Sequence, residues 1–151
     1  MSLLALVLAV SPTAHFTVRP VGDVLEVTLR LDGTKNDCLC VDMPGADVAL
    51  SGLARHPKEP SCFLRPKQRG PVRYSVSLSA LRAVHDDPDF AAQLGEAWLF
   101  HDNAVLLHPD GEYPTTEVKF ELPAGVQLAT PWPQTADGTF QVSPAQFDAG
   151  A

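Results

Sequence analysis

Zinc-dependent peptide hydrolysis is the first chemistry to look for, because five histidines and eighteen acidic residues are available to support it. A catalytic zinc helix needs two imidazoles four apart on one face and a glutamate beside them, the H-E-x-x-H spacing. His15, His56, His85, His101 and His108 do not provide it. A looser cluster, His101-Asp102 with His108 and Asp110, flanks a short apolar run. On a continuous strand the two rings, seven residues apart, face opposite sides, so these four read as loop-edge residues. His85-Asp86-Asp87 has the composition of a base with an orienting acid, but Asp87 has a sufficient role as a helix cap. Cys62 with His56 nearby would be a nucleophile and base only if folding joined them and depressed the thiol pKa. There is no G-x-S-x-G elbow and no glycine-rich phosphate cradle. The expectation is a chain with no catalytic residues and no metal ligands of its own.

Three cysteines are present. Cys38 and Cys40, two apart, share one face of a strand. Joining either of them to Cys62 closes a loop of 22–24 residues, which stabilises by roughly 3 kcal/mol in the chain-entropy view. Cys40–Cys62 is the candidate disulfide. The competing reading is three buried free thiols acting as small hydrophobes.

Trp98, Trp132, Tyr113 and several phenylalanines could form a binding platform. Pro131-Trp132-Pro133 holds one indole in a stiff loop. The simpler role for Trp132 is to plug one end of the fold.

These side chains must be positioned by strands. The chain has 151 residues, 45% hydrophobic and only 19% charged, with fourteen prolines. That length suits one domain with a sizeable core. Few charges and many prolines favour a loop-rich β protein over a helical bundle. Apolar residues alternate with polar ones over 23–31, 72–80 and 117–122, the period of a sheet with one face in the core. Shorter strands are expected at 15–19, 39–43, 48–53, 97–101, 104–108, 126–130 and 139–142. Asp32-Gly33, Pro44-Gly45, Asp110-Gly111, Ala124-Gly125 and Asp137-Gly138 supply turns. One short helix is expected over 87–95, capped by Asp87, with Pro88 in its first position and Gly95 ending it. Residues 55–70 read as a long loop. The predicted fold is an all-β, antiparallel β-sandwich with about ten strands and one short helix, a single domain over 1–151.

The net charge of −7 is a poor match to nucleic acid, which demands a basic patch. Arg65, Lys67, Arg69 and Arg73, broken by Pro66, Gly70 and Pro71, read as a solvated loop. Residues 3–10 are eight consecutive apolar residues, too few for a membrane span. They read as a first strand or as the remnant of a signal-peptide core.

From residue 72 to 148 the chain resembles the N-terminal β domain of the glycyl aminopeptidase family of zinc metallopeptidases. The resemblance is carried by Val72-Arg73-Tyr74-Ser75-Val76, the stretch 84–96, Val105-Leu106-Leu107-His108-Pro109, Phe120-Glu121-Leu122-Pro123-Ala124-Gly125, Phe140-Gln141-Val142 and Phe147-Asp148-Ala149-Gly150. The family's Trp- and Tyr-containing segment after the second strand has only Met43-Pro44-Gly45-Ala46 as a counterpart, and the closing proline is missing. In the family this domain precedes a helical catalytic domain that carries H-E-x-x-H and its zinc. The resemblance implies a non-catalytic front domain that packs against a C-terminal catalytic domain, or against a second copy of the chain, and helps guide substrate. It also implies an exported protein, periplasmic or extracellular. Zinc would belong to the catalytic domain, with no cofactor in this chain. The partner-facing surface is then expected near the end of the chain, at Trp132, Phe140 and Phe147. The alternative is a free-standing exported β-sandwich binding module.

Overall fold

The computed structural model describes residues 12–68, 70–85 and 91–142. They form an all-β, antiparallel sandwich with one short helix. A six-stranded sheet has the order β11-β10-β1-β2-β6-β4, from β1 (Thr13–Val21), β2 (Val24–Asp32), β4 (Leu50–Ser51), β6 (Val72–Ser77), β10 (Thr115–Phe120) and β11 (Phe140–Val142). Across from it lies a three-stranded sheet, β5-β3-β9, made of β3 (Cys38–Cys40), β5 (Cys62–Leu64) and β9 (His108–Pro109). A separate hairpin joins β7 (Ala91–Leu94) to β8 (Ala97–Phe100).

The alternation read from the sequence does the sorting. On β2, Leu25, Val27, Leu29 and Leu31 are buried, and Glu26 and Arg30 face water. On β1, Ala14, Phe16 and Val18 point inward beside them. Gly22, at φ 62°, closes the tight turn between β1 and β2 in a conformation that a side chain would strain. One pairing departs from antiparallel: β1 runs parallel to β10, with Phe16 opposite Val118. Such a pair cannot be joined by a tight turn, and the whole stretch from β2 to β9 lies between the two strands in the chain.

Tyr74 locks the two layers. Its hydroxyl donates to the Val105 carbonyl at 2.7 Å and accepts from the Leu107 N–H at 3.2 Å. Burial pushes the phenol's pKa up, and the Leu107 hydrogen bond offsets this in part. The apolar run at residues 104–107 is fully buried, so its backbone needs such partners.

Several elements differ from expectation. The helix is α1 (Leu78–His85), and Ala91–Leu94, expected to be helical, is a strand; residues 87–90 lie outside the described residues. The alternation of 72–80 continues to Ala80, but the strand stops at Ser77 because Ser77 Oγ accepts from the Ala80 N–H at 3.1 Å, a helix N-cap. Leu78 and Leu81, three apart, then share the buried helical face. Of the strand expected at 104–108 only His108 is in one, as the start of β9: a 3-10 turn, Asp102–Ala104, leads into the buried run. Leu50–Ser51 is all that remains of the strand expected at 48–53, since Ala46–Ala49 forms a 3-10 turn. Residues 126–130 have no regular structure. The presumed loop at 55–70 contains β5, which pairs with β3. Residues 3–10 lie outside the described residues.

Candidate functional site: an aromatic groove beside the last strand

The last described strand, β11, pairs with β10, which ends at Phe120. Between them the chain makes two turns. The first places the Val126 N–H on the Pro123 carbonyl at 3.1 Å. The second is held by Asp137, whose carboxylate accepts from Thr135 Oγ1 and from the Thr139 N–H. These bonds, the Thr135 hydroxyl foremost, draw the Asp137 pKa down. Gln141 N–H then bonds the Pro133 carbonyl at 3.0 Å, which fixes the Pro131-Trp132-Pro133 segment along β11.

Trp132 and Phe140 therefore meet across Phe120. The Trp132 ring stacks on Phe120 with centroids 6.5 Å apart, and Phe140 meets it edge-on at 5.9 Å. All three are half-buried. Phe147 lies outside the described residues. Beside this cluster β8 brings Trp98 and Phe100, also half-buried and packed on the core. Between β8 and residues 127–132 runs a groove of about 580 Å³. It continues past Phe120 and Leu128 into a second hollow of about 510 Å³ that reaches Leu122 and Val126. Leu94 and Leu99 stand nearby, 65% and 53% exposed, which is unusual for leucines on one hairpin. Among the described residues lining both hollows the charged ones are Glu96 and Asp102, with no lysine or arginine.

The remaining candidate residues have other duties. His101 Nδ1 lies 2.9 Å from Asp102 Oδ1 and accepts from the Asn103 N–H at 3.2 Å, capping the 3-10 turn. His108 is buried, and its acidic partner is Asp42, at 2.6 Å from Nε2, rather than Asp110. Its Nδ1 faces the Pro109 carbonyl at 2.8 Å, and Tyr113 stacks on the ring at 4.7 Å. Tyr113 thus belongs to this cluster and not to the groove. His56 Nδ1 accepts from the N–H groups of Lys58 and Glu59. Cys40 and Cys62 are joined by a disulfide, with Cα atoms 4.1 Å apart, so Cys62 is no nucleophile, and Cys38 is the free thiol. Cys40, Cys62 and Asp110 are the one group among the described residues with metal-ligand spacing, but both sulfurs are spent in the bond. Arg65 reaches the Thr34 carbonyl; Arg69 and the His85 side chain lie outside the described residues. No described helix is long and apolar enough to cross a membrane.

Sequence reasoning singled out Trp132 and Phe140 but missed Phe100, Phe120 and Leu128. Phe120 belongs to an alternating strand and looked like ordinary core. Its position at the strand's end, just before Leu122-Pro123, was the available signal. No family model matches the chain, and no curated protein matches it either.

Proposed function

We propose that this is a non-catalytic polypeptide-binding β domain that works through the aromatic groove. Its setting is the front of a glycyl-aminopeptidase-like metallopeptidase, where it packs against the catalytic domain and helps guide substrate to it. The carrying observation is that Trp132 and Phe140 converge on Phe120 beside the last described strand, next to a groove walled by Trp98 and Phe100. Exposed apolar residues are common singly, but clustered aromatics rimmed by polar groups mark interaction surfaces. His56, His101, His108 and the Cys40–Cys62 pair contribute to structure rather than to reaction. The sequence resemblance supports the peptidase setting.

Trp132→Ala tests this reading. A labelled apolar peptide, Lys-Val-Phe-Val-Phe-Val-Lys, and a family catalytic domain carrying H-E-x-x-H serve as probes. Both are expected to bind the wild-type chain and to lose about tenfold or more in affinity to the variant, the effect of truncating an aromatic anchor. Equal affinity of wild type and variant for the peptide would overturn it.

The second reading is a free-standing exported module. The Cys40–Cys62 disulfide favours it, since such bonds persist in oxidising compartments. Binding of the peptide without any binding of the catalytic domain selects this reading.

A further inference from the structure

The hairpin β7–β8 specifies how a polypeptide would sit in the groove, given the reading of that groove as a polypeptide site. Leu94 pairs with Ala97 across Gly95-Glu96, and Gly95 has φ 62°. The closing pair of a two-residue hairpin exchanges hydrogen bonds, and bonded pairs then alternate along the ladder. Leu94–Ala97 and Ala92–Leu99 are therefore the bonded pairs. Trp98 and Phe100 turn their N–H and C=O groups away from β7.

That outer edge has no strand beside it: β7 is the single neighbour of β8 among the described residues. The opposite wall has the same character. From Gln127 to Pro131 no backbone group bonds another backbone group among the described residues, between the Val126 N–H on Pro123 and the Gln141 N–H on Pro133. Both walls of the groove thus carry main-chain groups not bonded to other backbone among the described residues, with apolar side chains between. An unpaired strand edge is a template for another extended chain, and main-chain pairing with pockets for alternate side chains is the mode called strand addition. Trp98 and Phe100 lie on one face of β8, and Leu128 and Trp132 line the same groove.

Charge decides which chain fits. Glu96 lines the second hollow and Asp102, beside His101, the first, and neither hollow has a lysine or arginine among its described lining residues. A second copy would bring the same two acids and its own net charge of −7 to this edge, and like charges held together are unfavourable. A basic peptide gains where a second copy loses.

We propose that an extended peptide with apolar residues at alternate positions and a basic flank adds to β8 as the third strand of the β7–β8 sheet, its main chain bonded to Trp98 and Phe100. Four residues of edge accommodate about 13 Å of extended chain, at roughly 3.3 Å per residue.

The test uses Lys-Val-Phe-Val-Phe-Val-Lys, two forms of it N-methylated at alternate positions in opposite phase, and a glutamate-flanked form. One N-methylated phase is expected to lose about tenfold in affinity, and the other to bind much as the parent does, because one phase alone removes the N–H groups that face β8. The glutamate-flanked form is expected to bind several-fold more weakly, an effect that salt reduces. In the complex, hydrogen exchange at the Trp98 and Phe100 amides slows, and exchange at Leu99, already bonded to β7, does not. If both N-methylated forms bind like the parent, strand addition is wrong and the groove reading survives. If the parent peptide binds wild type and Trp132→Ala equally, the groove reading fails and takes strand addition with it. If Trp98 and Phe100 become protected with rising protein concentration and no peptide, a second copy occupies the edge and the proposal is overturned.

Discussion

Two regions of this molecule treat their polar and apolar groups in opposite ways. Around the Cys40–Cys62 bond little is left open. His108 has both ring nitrogens engaged and a ring stacked on it, Asp42 receives His108 and Tyr113, and Arg55 bonds the buried Asp47 while lying over Phe63. Tyr74 satisfies the backbone of the buried run behind it. Around β8 the pattern reverses: aromatic rings are left half-exposed, and among the described residues the outer strand edge and residues 127–131 bond no other backbone. A fold that satisfies its buried polar groups so thoroughly in one place has the means to do so in another. The difference therefore points to stability being held on the disulfide side and recognition on the aromatic side, since sites that bind are drawn from the less tied parts of a structure.

The comparison breaks most visibly at the disulfide. Replacing both Cys40 and Cys62 by serine is expected to lower unfolding stability by about 3 kcal/mol, from the loss of a cross-link spanning 22 residues. Urea titrations measure it. Peptide binding in the groove should persist wherever the variant is still folded. If binding is lost in step with the bond while the chain remains folded, the two regions are not separable.

Tyr74→Phe comes next. It strands the Val105 carbonyl and the Leu107 N–H in the core, at a cost of about 1–3 kcal/mol. The pH dependence has a definite sign. Because the native phenol titrates above its ordinary value of 10.0, the folded state holds its proton longer than the unfolded chain does. Stability from this group is complete below pH 10.0 and falls as pH rises beyond it. Melting curves from pH 8 to 12 should show a steeper alkaline loss for wild type than for the phenylalanine variant; parallel curves would contradict the buried hydroxyl.

The smallest effect is expected at Asp137, on the turn that sets Trp132 against β11. Its carboxyl is held below its ordinary value of 3.8 by Thr135 and Thr139. The ionised form is thus favoured by folding, and the contribution is present above pH 3.8 and lost as pH falls through the native value. Asp137→Asn should melt slightly lower than wild type at neutral pH, with the gap closing in acid. A gap that is constant with pH would assign the effect to shape rather than charge.

Sequence alone determined the class of fold and most of the central sheet. Alternation over 23–31 became β2 almost residue for residue, because a side-chain period of two leaves a half-buried strand no other face to bury. The strand expected over 117–122 is instead β10 at Thr115–Phe120, two residues earlier, with Leu122 outside it and exposed. The absence of H-E-x-x-H was equally legible, since that spacing is local. Tertiary structure decided what local pattern could not. The apolar run at 104–107 alternates too little to reveal that both its sides are buried, and only the Tyr74 hydroxyl, from a distant strand, makes that burial tolerable. Ala91–Leu94 has fair helix formers, yet pairing with Ala97–Phe100 overrides that weak preference. Cys40 was chosen over Cys38 by register, because β3 and β5 set Cys40 directly opposite Cys62 and Cys38 opposite Leu64. The groove itself belongs wholly to this second category: Phe120 and Trp132 are twelve residues apart in the chain and β8 lies further still, so their meeting depends on the path of the two turns before β11, which residue types mark but do not aim.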